Sequence, residues 1–414
     1  MKILLWHGYL LGGTGSNVYT RSLARAFARL GHEVVVFCQE PHPERYDVGG
    51  AEVVRPDAGG TLPVFVLDRY EDLEARLLPE LPPAERDSWV ERNAAAVRER
   101  LPADVLLANH VLLGAPVGAA VGMPFSVKAH GSELEFAIRG NAELAAFARE
   151  TLGRAERVYA GSEHVRGVLE EVVGPGPYLE RVSVVPPGVD VEELRPEPRD
   201  EALARLVEEA RRDPPLAGER HPDPGNAERL ERFLAGDRPT VVFVGKLSRE
   251  KGGDLLLDAL ERVDARAVVV GFGPERAALE ERAAGRPVLF TGPLEHRHLA
   301  HLWALADVSV TPSVFPEAFG MVAAEAAACG SPPLVARHSG LAEIAEGLEA
   351  EYPVELRDLA SFARGNADDL AAKLGRILSL PTEKWQELSA GARRAAVSLW
   401  SWEHVAALIL SARG

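Results

Sequence analysis

Cysteine is scarce. Cys38 and Cys329 are the only two thiols in 414 residues, too few and too far apart for a disulfide framework, and the composition reads as that of a chain from a reducing compartment. Positive charge is also in deficit: 46 Lys and Arg against 62 Asp and Glu give a formal net charge of −16. Nucleic-acid binders neutralise phosphate with a basic face, and anionic lipid attracts polybasic stretches, so this balance argues against both partners while leaving room for a small basic site. Long apolar runs are missing too. No stretch reaches the ~18–20 apolar residues of a membrane span, and the apolar run within Met1–His7 is too short for a signal peptide. The expectation is a cytoplasmic protein with no transmembrane segment. No Asp-x-Asp triplet occurs anywhere, so no dedicated metal clamp is expected.

What remains is ordinary for a globular chain, with 46% apolar and 26% charged residues. The length exceeds what one hydrophobic core usually supports, so two domains are expected. In the first half, Ile3–Trp6 reads as a strand, followed by Gly12-Gly13-Thr14-Gly15 and a helix carrying Tyr19, Leu23, Phe27 and Leu30 on one face. Gly31 stops that helix and Glu33–Phe37 is the next strand, which makes one βαβ unit and predicts parallel strands. Further strands are expected at 64–67, 104–108, 125–129, 157–160 and 182–185, with helices over 68–101 broken by Pro79, Pro82 and Pro83. The alternation restarts with strands at 240–244, 266–270, 288–291, 308–311 and 334–336 and helices at 254–263 and 276–284. The chain ends in a helical run, 402–412. Between the halves, 196–238 is rich in Pro, Arg, Glu and Asp and reads as a charged connector or insertion, with 201–212 an exposed helix. The expected fold is α/β: two doubly wound, parallel-sheet domains, 1–195 and 239–397, with ligands bound in a cleft at the carboxyl ends of their strands.

The second half carries the chemistry. Gly245-Lys246-Leu247-Ser248-Arg249-Glu250-Lys251-Gly252 follows a strand and opens a helix. Two lysines five apart can converge on one anion, aided by the free amides of a helix N-terminus; a solvated charged turn would look the same. In Phe315-Pro316-Glu317-Ala318-Phe319-Gly320-Met321-Val322-Ala323-Ala324-Glu325, Glu317 falls in a loop and Glu325 in the second turn of a helix that begins near Gly320. A carboxylate among small apolar residues needs a partner, and a pair of sugar or ribose hydroxyls would serve. A capping Glu317 and a salt-bridged Glu325 are the alternative.

Two glutamates separated by seven residues and enclosing Phe-Gly resemble the signature of family 4 glycosyltransferases of the GT-B type. The resemblance runs through nearly the whole chain, in order: the glycine-rich first loop with Gly31-His32-Glu33-Val34, then His130-Gly131-Ser132-Glu133, Pro187-Gly188-Val189-Asp190, the lysine loop, Gly271-Phe272-Gly273-Pro274 and Ser401-Trp402-Glu403. It implies Rossmann-like domains, with a last helix (398–414) crossing back to the N-terminal domain. It also implies retention of anomeric configuration and a nucleotide-sugar donor that is a substrate rather than a cofactor.

Residue by residue, the resemblance gives Lys246 and Lys251 to the donor diphosphate, with Lys246 standing where the family more often has Arg. It gives Glu325 to the ribose, Glu317 and His130 to the donor sugar, and the amides of Phe319, Gly320, Met321 and Val322 to sugar or phosphate. Gly13 and Gly15 belong to a loop that closes on the diphosphate, in which Thr14 replaces one of the family's glycines. The base would meet the backbone from Thr291 to Leu294. The acceptor, a small molecule or glycan, belongs to the first domain, where His7, Asn109, His110, Glu133 and Arg139 are candidates. A GT-B phosphorylase, a nucleotide-sugar epimerase and a non-catalytic binding subunit are the competing readings. The sequence gives no oligomeric state.

Overall fold

The structure is a computed structural model that describes residues 1–67, 70–214, 218 and 220–411. The start of the helical stretch expected from residue 68, part of the expected connector (215–217 and 219) and the last residues of the terminal helix (412–414) lie outside the described residues. Contacts divide the chain into two compact units, Met1–Gly188 with Trp402–Gly414, and Val189–Ser401.

The first unit contains strands β1 (Lys2–Trp6), β2 (Glu33–Phe37), β3 (Glu52–Val54), β4 (Thr61–Val64), β5 (Glu74–Leu77), β6 (Val105–Asn109), β7 (Ser126–Lys128), β8 (Arg157–Ala160) and β9 (Val182–Val184). Seven of them form a parallel sheet in the order β3-β2-β1-β6-β7-β8-β9, and β4 pairs with β5 separately. Strand residues alternate between faces. Ile3, Leu5, Val34 and Val36 pack in one apolar cluster with Tyr19, Leu23 and Phe27 of the helix Gly15–Arg29 and with Trp402, Val405 and Ile409. Leu4, Trp6, Val35 and Phe37 pack in another with Trp89 and Val97 of the helix Pro83–Arg98 and Leu144 and Leu152 of the helix Ala142–Leu152. Helices on both faces are why these strands are apolar without interruption. The last helix, Trp402–Ser411, therefore belongs to the first unit, where Tyr159 donates its hydroxyl to the Ile409 carbonyl at 3.1 Å.

The second unit holds β10 (Thr240–Val244), β11 (Arg266–Val270), β12 (Val288–Phe290), β13 (Val308–Thr311), β14 (Pro333–Ala336) and β15 (Ser361–Phe362) in a parallel sheet ordered β12-β11-β10-β13-β14-β15. In both sheets strand order reverses beside the first strand, between β1 and β6 and between β10 and β13. Connections leave such a point in opposite directions, opening a crevice at the carboxyl ends of the strands.

Two expectations are corrected. The stretch before β6 is not all helix. Glu74–Leu77 is a strand paired with Thr61–Val64, and the helix begins at Pro83, where proline is tolerated in a first turn. The strand expected at 64–67 therefore lies earlier, at Thr61–Val64. Within the charged stretch 196–238, the helices Arg199–Arg211 and Asn226–Leu234 bury Ala202, Leu206, Leu230 and Leu234 in the core of the second unit.

Polar contacts finish the attachment. His301 meets Glu197 at 2.8 Å, and Arg297 donates to Glu209 at 2.9 Å. Arg266, the first residue of β11, is 3% exposed and donates to the carbonyls of Phe233, Leu234, Ala235 and Gly236, capping the end of the second helix. Arg266→Ala strands those acceptors and is expected to cost about 3 kcal/mol. Urea denaturation would read the loss as a lower midpoint, and an unchanged midpoint would refute the capping role.

Candidate functional site

In the second unit the lysine loop leaves β10 and the Glu317 loop leaves β13, the neighbours at the strand-order reversal. Leu247 is buried and holds the lysine loop down, with its amide bonded to the Phe272 carbonyl at 2.8 Å. Gly271 has φ +139°, and a β-carbon there would stand 1.8 Å from the Gly245 carbonyl oxygen, so only glycine lets the two backbones come this close. Ahead of Lys251, the Glu250 carbonyl accepts the Val314 amide at 2.8 Å and the Phe315 amide at 3.3 Å. Those bonds join the two loops and bring Lys251 to Glu317.

Glu317 is held from three sides. Its Oε1 accepts from Lys251 Nζ and from Ser313 Oγ, each at 2.5 Å, and its amide donates to Ser339 Oγ at 2.9 Å. His338 fixes this corner through the Ser313 carbonyl at 2.7 Å. An ammonium carries three donors, so Lys251 has capacity left after Glu317. Lys246 lies exposed in the same loop. The helix Met321–Ala328 starts just beyond, capped by Gly320 at φ +125°. Met321 and Val322 open its first turn, where amides have no acceptor within the helix, and Phe319 packs edge-on to Trp400 at 6.2 Å. Glu325, 8% exposed, accepts on Oε1 from His296 Nε2 at 3.2 Å. His296 is a residue the sequence did not single out; its position at the start of the helix His296–Ala304 was the available signal.

Thr291 follows β12. It is fully buried, and its carbonyl already accepts from the Asp223 amide at 2.8 Å and from Asn226 Nδ2 at 2.9 Å. Leu294 is partly buried against the core.

In the first unit, the loops after β1, β6 and β7 gather His7, His110 and His130. His110 lies 5.5 Å from His7 and 4.7 Å from His130 between ring centroids. Asn109 Oδ1 meets His130 Nε2 at 2.9 Å, and His7 Nε2 meets Asn17 Oδ1 at 2.8 Å. His110 sits at φ +75°, a rare conformation for a residue with a side chain. Burial pushes His7 down to about 4 and lowers His110 and His130 well below the usual imidazole range, so all three rings are neutral at pH 7.

Glu133 is fully buried and accepts from the amides of Val111 at 2.8 Å, Leu112 at 3.1 Å and His130 at 3.1 Å, tying two loops together. Four of the acceptor candidates lie deep in the first unit. His7, Asn109, His110 and Glu133 are at most 1% exposed and form the wall behind His130, which stays partly exposed. Arg139 is spent on Glu135 and Glu171, both at 2.6 Å. Gly13 is exposed at φ +93° and Gly15, also exposed, begins the helix Gly15–Arg29. Lys128, at the end of β7, is buried beside this group and was read from sequence only as a strand residue.

Residues 13–193 match the family described as Glycosyltransferase Family 4, and residues 238–379 match Glycosyl transferases group 1. D-inositol 3-phosphate glycosyltransferase of Xylanimonas cellulosilytica is 32% identical over 96% of this chain and 90% of its own. The chain belongs to the family 4 glycosyltransferases. A GDP-mannose-dependent alpha-(1-6)-phosphatidylinositol dimannoside mannosyltransferase of Mycobacterium tuberculosis is 35% identical over 200 residues, 47% of this chain; the match spans about half, 49%, of that relative.

Solved structures agree on the fold. Anabaena HepE in complex with UDP superposes with a TM-score of 0.68 at 18% identity, covering 99% of each chain. A glycosyltransferase from Rickettsia africae gives 0.69 at 16% identity over 99% of this chain and 97% of its own. At these identities the likeness is one of architecture, the GT-B fold, with two Rossmann-like sheets. Among the described residues of this glycosyltransferase no helix is long and apolar enough to cross a membrane.

Burial pushes the Glu133 carboxyl up to about 7, against the three amides that favour its ionised form. Between about pH 4.5 and 7 the folded chain therefore keeps a proton that the unfolded chain has released, and the stability contributed by Glu133 falls as pH rises through that window. Glu133→Gln is expected to remove this slope, so that its urea midpoint gains on the parent's between pH 5 and pH 7.5. A constant difference across that range would show that Glu133 does not titrate there.

Proposed function

We propose that this glycosyltransferase moves a hexose-type sugar from a nucleotide-diphosphate donor to a hydroxyl acceptor, with retention of anomeric configuration and without a metal ion. The observation that carries the donor reading is the convergence of Lys251, Glu317 and the opening of the helix Met321–Ala328 at the strand-order reversal of the second unit, where α/β sheets place their ligands. Lys246, Lys251 and the amides of Phe319, Gly320, Met321 and Val322 take the diphosphate and sugar oxygens. Glu325 takes the ribose hydroxyls, because a carboxylate that gives one oxygen to His296 still has lone pairs for a diol. Glu317 and His130 contact the transferred sugar. Base recognition falls to the backbone near Leu294, since the Thr291 carbonyl is already used twice.

The reaction balances within donor and acceptor. The bond from the anomeric carbon to the diphosphate oxygen breaks, and negative charge builds on the diphosphate, where the lysines and amides stabilise it. The acceptor oxygen bonds to the same face of the anomeric carbon, and its proton passes to the departing diphosphate. No protein nucleophile is assigned. The base of the donor, among UDP, GDP and ADP sugars, and the acceptor are matters for a screen in which the best donor raises the melting temperature most. Two relatives are a GDP-mannose-dependent mannosyltransferase and a D-inositol 3-phosphate glycosyltransferase, which makes GDP-mannose and a phosphorylated polyol the first pair to try.

Nucleotide release is expected only when donor and acceptor are both present, and it continues in excess chelator. Release that requires inorganic phosphate would mean a phosphorylase, and loss of donor without acceptor an epimerase. Glu325→Ala is expected to weaken nucleotide binding ~10–100-fold, as loss of charge-assisted hydrogen bonds does; an unchanged affinity by calorimetry would refute the ribose assignment.

A further inference from the structure

Lys128 ends β7 two residues before His130 and is 2% exposed. Among the described residues no carboxylate pairs with it. Its Nζ donates to the Val185 carbonyl at 2.6 Å and lies 5.3 Å from the centre of the Tyr19 ring. Tyr19 meets His130 edge-on at 5.5 Å and Trp402 at 5.3 Å, so one aromatic ring stands between the lysine, the histidine and the last helix. A buried ammonium without a counter-charge is costly, and a methionine would fill the same space without that cost. Resting on the reading that His130 contacts the transferred sugar, we propose that Lys128 is a positioning residue for His130, setting the imidazole at the end of β7 through the Tyr19 ring and the strand end at Val185.

The charge has a second consequence. Burial lowers Lys128 to about 7, so the ammonium is present on the acid side of neutrality. Burial is the largest force against protonation of His130, and the Lys128 ammonium and then His7 add to it. The other titratable groups around the pair are Tyr19 on the helix Gly15–Arg29, Tyr159 in register with Lys128 on β8, His110 after β6 and Glu133 in the turn that follows His130. Removing the ammonium relieves the opposition, so His130 takes its proton at higher pH and the acid limb of kcat moves up.

The test uses the full chain with the donor and acceptor found by screening, and compares Lys128→Met, Lys128→Gln, Lys128→Arg and His130→Ala. Lys128→Met is expected to keep or raise the melting temperature and leave the donor KM within about 2-fold while kcat falls ~10-fold. Its acid limb and the NMR titration of the His130 ring are expected to move to higher pH together. Lys128→Arg, which restores the charge, is expected to recover most of kcat and the parent's limb. Lys128→Gln gives the same reading as Lys128→Met and replaces it if that variant does not fold. An unshifted ring titration and unchanged kcat in both neutral variants would overturn the inference, as would an arginine variant no better than methionine. Wild-type kcat in His130→Ala would instead overturn the role of His130; a shifted ring titration would still show that Lys128 acts on it.

Discussion

The Glu250 carbonyl accepts the Val314 amide at 2.8 Å, and that backbone bond joins two loops that leave the sheet from different strands. Without it, Lys251 and Glu317, 66 positions apart, would have no fixed relation. With it, the ammonium, the carboxylate and the first turn of the helix Met321–Ala328 occupy one corner above β10 and β13. The cost of gathering these polar groups is offset by pairing them. Ser313 and Ser339 take up hydrogen bonds that Glu317 and its amide require, and His338 holds the Ser313 carbonyl. Only glycine fits at Gly271 and a buried Leu247 pins the loop, so packing sets the path of the backbone that carries the lysines.

The first unit solves a different problem with the same topology. Its strand ends collect three imidazoles, and burial leaves them uncharged at neutral pH, so they can stack without repelling one another. Glu133 supplies the cohesion. One carboxylate gathers amides from the turn after β6 and from the loop after β7. The consequence is a division of labour among residues that look alike in sequence. His7 and His110 are buried, and His130 alone of the three keeps an open side.

Strands with uninterrupted aliphatic residues were legible from sequence. Thr240–Val244, Arg266–Val270, Val308–Thr311 and Arg157–Ala160 lie where the pattern placed them, because a strand covered on both faces has little choice of composition. The short, half-exposed strands Glu52–Val54 and Glu74–Leu77 were not legible, since their residues carry no continuous apolar run. The burial of helices from the stretch 196–238 was hidden in its sequence, because Glu197 and Glu209 spend their charge on the helix His296–Ala304 and only a few aliphatic residues, among them Ala202, Leu206, Leu230 and Leu234, face inward.

The lysine loop and the two glutamates could be read from spacing, since loop and helix signals sit beside them. Lys128 could not, and His296 offered only its place at the start of a helix. Their neighbours, Tyr19, Val185 and Glu325, come from other elements and meet them only once strand order is fixed.

The lysine loop is the proposed seat of the donor diphosphate. Calorimetric titration of the nucleoside diphosphate and monophosphate of the preferred base, in the parent chain and in the double variant Lys246→Met, Lys251→Met, tests this directly. The account predicts that the parent prefers the diphosphate by ~100-fold, about 2.7 kcal/mol, and that the double variant loses most of that preference while still binding the monophosphate. Equal affinity for the two nucleotides in the parent, or a preference that survives loss of both lysines, would contradict it.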